Sequence, residues 1–548
     1  MTPVEGNGAN GGGVTGARDP ETDKARLRAI HAALTAGEID AAGKMAEDAL
    51  GDGIDHAMVL SLVAGRREGE GRFDEALALL ERARTAAPAA PGILNAIGLN
   101  LLWLGRHEAA AAEFGAALAA DPGFAPALAN RGIASIALAR LNAARGDFEA
   151  ALTIEPGNLV ALNGLAALAL RRGDAGEARE LASRVAARQP DFPEAMMTLA
   201  GADIAEGNAG IGESRLRVLL RDRKLPAADR ALAQGLLGDA LDAQRRFGEA
   251  FAAWQAGNAL RAGQAAGLAG RSLAVVRELT AALAGRRVAA TWGRGGGPAR
   301  RHVFLVGFPR SGATLIAQVL ASHDEVTVSA EDCLIDAARA WLGDAADLAQ
   351  FCDAPDEDLD LYRDSYWRRA AASGAEPAGR VFVDAHGFNI FKLPLIARLF
   401  PEARILVARR DPRDTVLSCF ASRFAMSEPV HQLLTLDGAA ELYAATMALA
   451  EATEKAFGLF VQPCRLEAVV ADFDAETKAI CAALGIAWSP ELRDFHRHVA
   501  ARGVATPGAA RLTAGLDSAG IGRWRNYQAE MAPVLPVLQP WTERFGYG

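Results

Sequence analysis

Cysteine is scarce: Cys333, Cys352, Cys419, Cys464 and Cys481 are the only five, with no C-x-x-C pair among them. That scatter excludes a disulfide framework and predicts reduced thiols. An excess of basic charge is also missing. Lys and Arg total 58 against 67 Asp and Glu, and a formal net charge of −9 argues against nucleic acid as a partner. Nowhere do about 18 uncharged apolar residues run together, so no membrane span is expected. The opening MTPVEGNGANGGGVTGARDPETD lacks the basic and apolar regions of a secretory signal. A cytoplasmic protein is expected.

What is present is a chain of 548 residues, 51% hydrophobic, enough for about three domain-sized units. Residues 1–23 are glycine-rich and predicted to be a disordered tail. Residues 24–262 repeat. Pro88, Pro122, Pro156 and Pro190 stand 34 residues apart, the period of the tetratricopeptide repeat. Gly37, Gly71, Gly105, Gly173 and Gly207 keep one register, with Ala139 in the missing place. Five residues after each come Ala42, Ala76, Ala110, Ala144 and Ala178, then Gly212. Each unit reads as two helices, with glycine in the turn, small residues where the helices meet and proline ending the second helix. About six units are expected to stack into a right-handed solenoid whose concave face binds a protein or peptide. The aromatics Phe247–Trp254 fit core positions of the last unit, and His496-x-His498 reads as a surface pair rather than a metal site.

Residues 263–300 read as a linker that begins helical and ends in TWGRGGGPARR. Residues 301–548 alternate strands with helices, which predicts an α/β domain with a parallel sheet. Its first strand, His302–Val306, runs into Gly307-Phe-Pro-Arg-Ser-Gly312-Ala-Thr314, with the G-x-x-x-x-G spacing of a nucleotide phosphate loop at a helix N-terminus. Ala313 occupies the place where a triphosphatase needs lysine, so ATP or GTP hydrolysis is disfavoured. Arg310 can supply charge from within the loop. Later, Arg409-Arg410-Asp411-Pro412-Arg413-Asp414 ends a second buried strand, where a nucleotidase would place an aspartate for magnesium. Arginine at that edge suggests a metal-free grip on a second phosphate.

The two motifs together resemble the sulfotransferases that use 3′-phosphoadenosine 5′-phosphosulfate, above all the tyrosylprotein sulfotransferase-like branch, whose bacterial members often carry tetratricopeptide repeats. The resemblance implies that Arg310, Ser311, Gly312, Ala313 and Thr314 form the phosphosulfate loop. It implies that Arg410 and Ser418 hold the 3′-phosphate and that Arg523 closes over the co-substrate. It makes Glu331 the base that takes the acceptor's proton; a carboxylate in the first turn of a helix Cys333–Trp341 is the alternative reading. The implied acceptor is a protein tyrosine, with a glycan or small hydroxyl close behind, and no metal is needed.

The chain departs from the family pattern at several points, the first being Ala313 in place of a loop threonine. Ala385 stands where the family has a charge-stabilising lysine, with His386 as a replacement; Leu466 replaces a tyrosine; and Pro507-Gly-Ala-Ala-Arg511-Leu-Thr-Ala514 stands where the family has a segment rich in polar cofactor contacts. These departures keep open a second reading, a weak or inactive nucleotide-sensing adaptor that works through its repeats.

Overall fold

The computed structural model describes residues 20–548 apart from 139, 266, 268–270, 289–296, 503–511 and 514. Residues 1–19 of the expected tail, Ala139, most of the TWGRGGGPARR boundary and most of the 507–514 segment lie outside the described residues, while residues 20–23 of that tail open the helix Pro20–Thr35. The chain forms two compact units, Met1–Gly164 and Leu165–Gly548.

The first unit is built of helical hairpins: Pro20–Thr35 with Ile39–Gly51, Ala57–Gly69 with Phe73–Ala86, Pro91–Trp103 with His107–Ala120, and Ala125–Ala137 with Leu141–Ile154. The turn glycines Gly37, Gly71 and Gly105 have φ of +77°, +75° and +71°, a left-handed conformation that glycine adopts without strain. Each second helix ends two residues before its proline, at Ala86, Ala120 and Ile154. Ala42, Ala76, Ala110 and Ala144 are fully buried where helices touch. A further small-and-large pairing lies across that contact: a Cβ on Gly98 would stand 2.5 Å from the Phe114 ring, and one on Gly132 the same distance from Phe148.

The helix Leu159–Arg172 spans the division between the units, and the second unit carries on the pattern with Ala175–Arg188, Pro193–Ala205, Ala209–Arg221, Ala227–Ala243 and Phe247–Gln264. Seven hairpins are present among the described residues, against the six or so expected. The first, marked by Gly37 and Ala42, has Ile54 where a closing proline would stand. In the last hairpin Arg245, at φ +63°, takes the turn position that Gly37, Gly71, Gly105, Gly173 and Gly207 hold in theirs.

Among its described residues the α/β domain contains five parallel strands, β1 (Arg301–Val306), β2 (Val326–Ser329), β3 (Val381–Asp384), β4 (Arg404–Arg409) and β5 (Val461–Arg465), in the order β2-β3-β1-β4-β5. Side chains alternate across the sheet, so Phe304, Val306 and Phe382 enter one apolar cluster while Val303, Leu305 and Val383 enter another. Both faces are therefore covered, as a parallel sheet requires. The first cluster continues through Trp254, Leu241 and Leu237 of the last hairpin.

Part of the expected linker is core. The helix Arg271–Leu283 buries Val276, Leu279 and Leu283, its Arg277 meets Glu441 at 3.1 Å, and the Val288 N–H donates to the Ala456 carbonyl at 2.9 Å. Apolar spacing inside a segment bounded by glycine-rich sequence hid this role.

A test of the helix contacts follows from two glycines of the repeats. Gly132→Ala pushes a methyl group into Phe148 and should cost about 1–3 kcal/mol. Gly115→Ala, with nothing within 4 Å, should stabilise by about 0.5–1 kcal/mol. Chemical denaturation of the full chain reads both, and equal effects would contradict the packing described.

Candidate active site

The carboxyl edge of the sheet gathers the site. β1 feeds into Gly307, where a Cβ would fall 2.5 Å from Ser311 Oγ and 2.9 Å from the Ala408 carbonyl, so only glycine lets the loop lie against β4. Arg310 is left-handed at φ +69° and Gly312 at +100°, and the helix Ala313–Ala321 begins directly after them. Ala313 and Leu466 both pack into the apolar cluster beneath that helix. Leu466, which stands for the family tyrosine, lies 3.2 Å from where a Gly312 Cβ would be. Thr314 is half-buried in the first turn.

Because β4 pairs with β1 through Val407 and Val306, its end arrives beside this loop. Arg310 Nε donates to Ser418 Oγ at 3.0 Å, and Arg410 Nη1 donates to the Arg310 carbonyl at 3.2 Å. Arg410 also donates to the Gly520 carbonyl. Burial pulls the Arg410 pKa down, opposed by Asp414 and Glu467. Ser311 Oγ and Arg410 Nε are buried with no hydrogen-bond partner in the protein. Two orphaned polar atoms of this kind fit an anionic ligand, since a buried polar atom left unpaired is costly. Four expected residues, Arg310, Ser311, Arg410 and Ser418, are thus brought together.

The neighbouring arginines do other work. Arg413 pairs with Asp411 at 2.8 Å and lies over Trp524 at 4.2 Å, and Arg409 lies over Phe545 at 4.6 Å. Arg523 departs from expectation: its guanidinium pairs with Asp242 of the last hairpin at 2.9 Å and lies over Trp254 at 5.3 Å. What its segment offers the loop's neighbour Arg410 is the Gly520 carbonyl.

Glu331 is exposed in the turn after β2, and its N–H donates to Ser329 Oγ at 3.3 Å. The helix beyond starts only at Ile335, so Glu331 does not occupy a first turn. Next to it, Asp332 pairs with Lys392 in the short 3-10 turn Asn389–Lys392. The Lys392 charge is felt by both Asp384 and His386. His386, the expected substitute for a lysine at Ala385, has its pKa lowered by burial and so favours the neutral ring. Lys392 was missed in sequence; a lone lysine in the apolar run Ile390–Ile396 was its signal.

Asp384 is the other omission. It is fully buried at the end of β3 and accepts from Asn389 Nδ2 at 2.7 Å, Tyr366 Oη at 3.0 Å and the His386 N–H at 3.1 Å. Tyr366 Oη in turn meets His302 Nε2 at 2.7 Å. Burial pushes the Asp384 carboxyl up to about 7 and holds His302 down at about 3.

With this geometry in view, residues 302–490 match the sulfotransferase family and residues 135–195 the tetratricopeptide repeat. The chain joins tetratricopeptide repeats to a sulfotransferase domain. Protein-tyrosine sulfotransferase 2 of Gallus gallus is 28% identical over 131 residues, covering 23% of this chain and 35% of that protein. The same figures hold for protein-tyrosine sulfotransferase 1 of Mus musculus. An uncharacterized protein of Aquifex aeolicus is 22% identical over 253 residues, 44% of this chain and 33% of its own length. The chain thus spans about a third of the length of the curated relatives it matches. Among solved structures, a tetratricopeptide repeat protein from Parabacteroides merdae aligns with a TM-score of 0.34 at 18% identity, over 44% of this chain and 93% of that one. No helix among the described residues of this sulfotransferase-domain protein is long and apolar enough to cross a membrane.

The buried carboxyl gives a pH test. Folded Asp384 keeps its proton to about pH 7, whereas an unfolded aspartate loses it near pH 4, so its contribution to stability falls as pH rises through that interval. Asp384→Asn removes the loss. The stability of the variant relative to the parent should therefore climb from about pH 4 to about pH 7 and level off above. Urea unfolding at several pH values reads this, and a pH-independent difference would mean that the buried carboxyl is ionised throughout.

Proposed function

We propose that the domain transfers a sulfuryl group from 3′-phosphoadenosine 5′-phosphosulfate to a protein tyrosine, while the repeats hold the acceptor or a partner protein. The observation that carries this reading is the convergence of Arg310, Ser418 and Arg410 beside Ser311, with Ser311 Oγ and Arg410 Nε buried and unpaired. The loop residues Ser311, Gly312, Ala313 and Thr314, with Arg310, take the 5′-phosphosulfate; Arg410 and Ser418 take the 3′-phosphate. Charge neutralisation falls to guanidinium groups and backbone N–H donors, since Ala313 and the arginines of β4 stand where a magnesium nucleotidase has lysine and aspartate. Glu331 takes the acceptor hydroxyl's proton. Lys392, paired with Asp332 and felt by Asp384 and His386, supplies the positive charge that Ala385 does not. The printed names of the vertebrate relatives support tyrosine as acceptor. Five free, buried cysteines suit a reducing, cytoplasmic setting.

The donor is tested first by thermal unfolding of the full chain with 3′-phosphoadenosine 5′-phosphate against adenosine 5′-phosphate. A ligand at 100 times its Kd adds about 2.7 kcal/mol, so a selective rise in Tm is expected, and it should disappear in Arg410→Ala. Equal response to both nucleotides would overturn the donor reading. With labelled donor and a tyrosine peptide, Lys392→Ala should lower turnover by about 10²–10³ while leaving nucleotide affinity within about twofold. Selective binding with no transfer to any hydroxyl would instead favour the nucleotide-sensing adaptor.

A further inference from the structure

The last repeat hairpin, Ala227–Ala243 and Phe247–Gln264, is occupied by the chain's own sulfotransferase domain. Two segments dock on it. One follows Ser418: Asn258 Nδ2 donates to the Phe420 carbonyl at 2.9 Å, Phe251 stacks on Phe420 at 4.8 Å, and Arg423 pairs with Asp239 at 2.5 Å. A Cβ on Gly235 would stand 2.8 Å from Arg423 Cδ, so the helix is bare where that arginine passes. The other segment is 520–527. Asp242 receives both the Arg523 guanidinium, at 2.9 Å, and the Tyr527 hydroxyl. Phe247 meets the Tyr527 ring edge-on at 5.3 Å. Phe247 and Phe251 are therefore docking residues, which their core-like spacing in the sequence did not reveal.

Both segments reach the far end of the donor site. Asp414 accepts from the Gly522 N–H at 2.6 Å and from the Trp524 N–H at 2.8 Å, and Arg410 donates to the Gly520 carbonyl. Gly522 is left-handed at φ +72°, so the segment turns sharply between these anchors. On its other side, Asp242 holds it through Arg523 and Tyr527. The phosphosulfate loop, by contrast, rests on β1, β4 and Leu466, with the Cys419 thiol donating to the Pro309 carbonyl at 3.1 Å. The 520–527 segment, held by Asp242, bears on Arg410 through the Gly520 carbonyl, whereas the loop is tied to the other docked segment at Ser418 and Cys419.

We infer that Asp242, a residue of the repeats, is a positioning residue for the 3′-phosphate end of the donor site, acting through Arg523 and Tyr527 on the 520–524 segment that orients Arg410. This rests on the donor reading above. Removing the carboxylate leaves two largely buried groups without their acceptor and frees the segment on one side. Affinity for the 3′-phosphate should then fall while the grip on the 5′ end stays.

The test measures, by calorimetry on the full chain, the affinity ratio between 3′-phosphoadenosine 5′-phosphate and adenosine 5′-phosphate. Asp242→Ala should lower that ratio about tenfold, chiefly through weaker binding of the bisphosphate, and Asp242→Glu should restore most of it. A ratio unchanged in Asp242→Ala, whatever the change in overall stability, overturns the inference. So does a higher ratio, which would mean that Asp242 competes with phosphate for Arg523. If Asp242→Ala fails to fold by circular dichroism, Asp242→Asn is read the same way. A parent chain with no preference for the bisphosphate would defeat the donor reading itself, a result distinct from a selective parent with an equally selective variant.

Discussion

The pairing of β1 with β4 is the constraint on which the site depends. It sets Val306 beside Val407 and so delivers two segments about a hundred residues apart in the chain to one point. Gly307 makes that approach close enough for the loop to lie on the Ala408 carbonyl, and Arg410 then reaches back to the Arg310 carbonyl. A parallel sheet exposes strand carboxyl ends along one edge, and turning outward from β1 in both directions opens a crevice there. The donors at that edge are oriented by the fold itself.

Burial then sorts the charged groups into roles. Arg409, Arg413 and Arg523 each lie over an aromatic ring, and Arg413 and Arg523 also pair with a carboxylate, an arrangement suited to a weakly hydrated guanidinium. Arg410 stands apart, because its partners are backbone carbonyls and its Nε has none. Asp384 and His302, joined through Tyr366, both favour the neutral form for the same reason, the cost of placing charge in an apolar interior. Their hydrogen bonds fix the turn after β3 that carries His386 and leads to Lys392.

Within the Leu165–Gly548 unit, the repeat and α/β parts share a core instead of meeting as separate modules. Trp254 belongs to the same apolar cluster as Phe304 and Phe382, and the helix Arg271–Leu283 packs beside the helix Leu436–Phe457. A solenoid is usually pictured as an open concave surface awaiting a partner. Here its last hairpin already has one, the α/β domain of the same chain.

Much of this was legible from periodicity and local chemistry. The 34-residue spacing, the turn glycines and the buried alanines belong to each repeat by itself, and the phosphate loop is a continuous string whose glycines have a single geometric use. For the same reason the sequence by itself determined the order of domains and the members of the loop. Tertiary structure alone decided which of several arginines faces the loop, that Lys392 lies near the position vacated at Ala385, and that Arg523 answers to Asp242. Those outcomes depend on distance and desolvation between residues far apart in the chain, and neither quantity is written into local spacing.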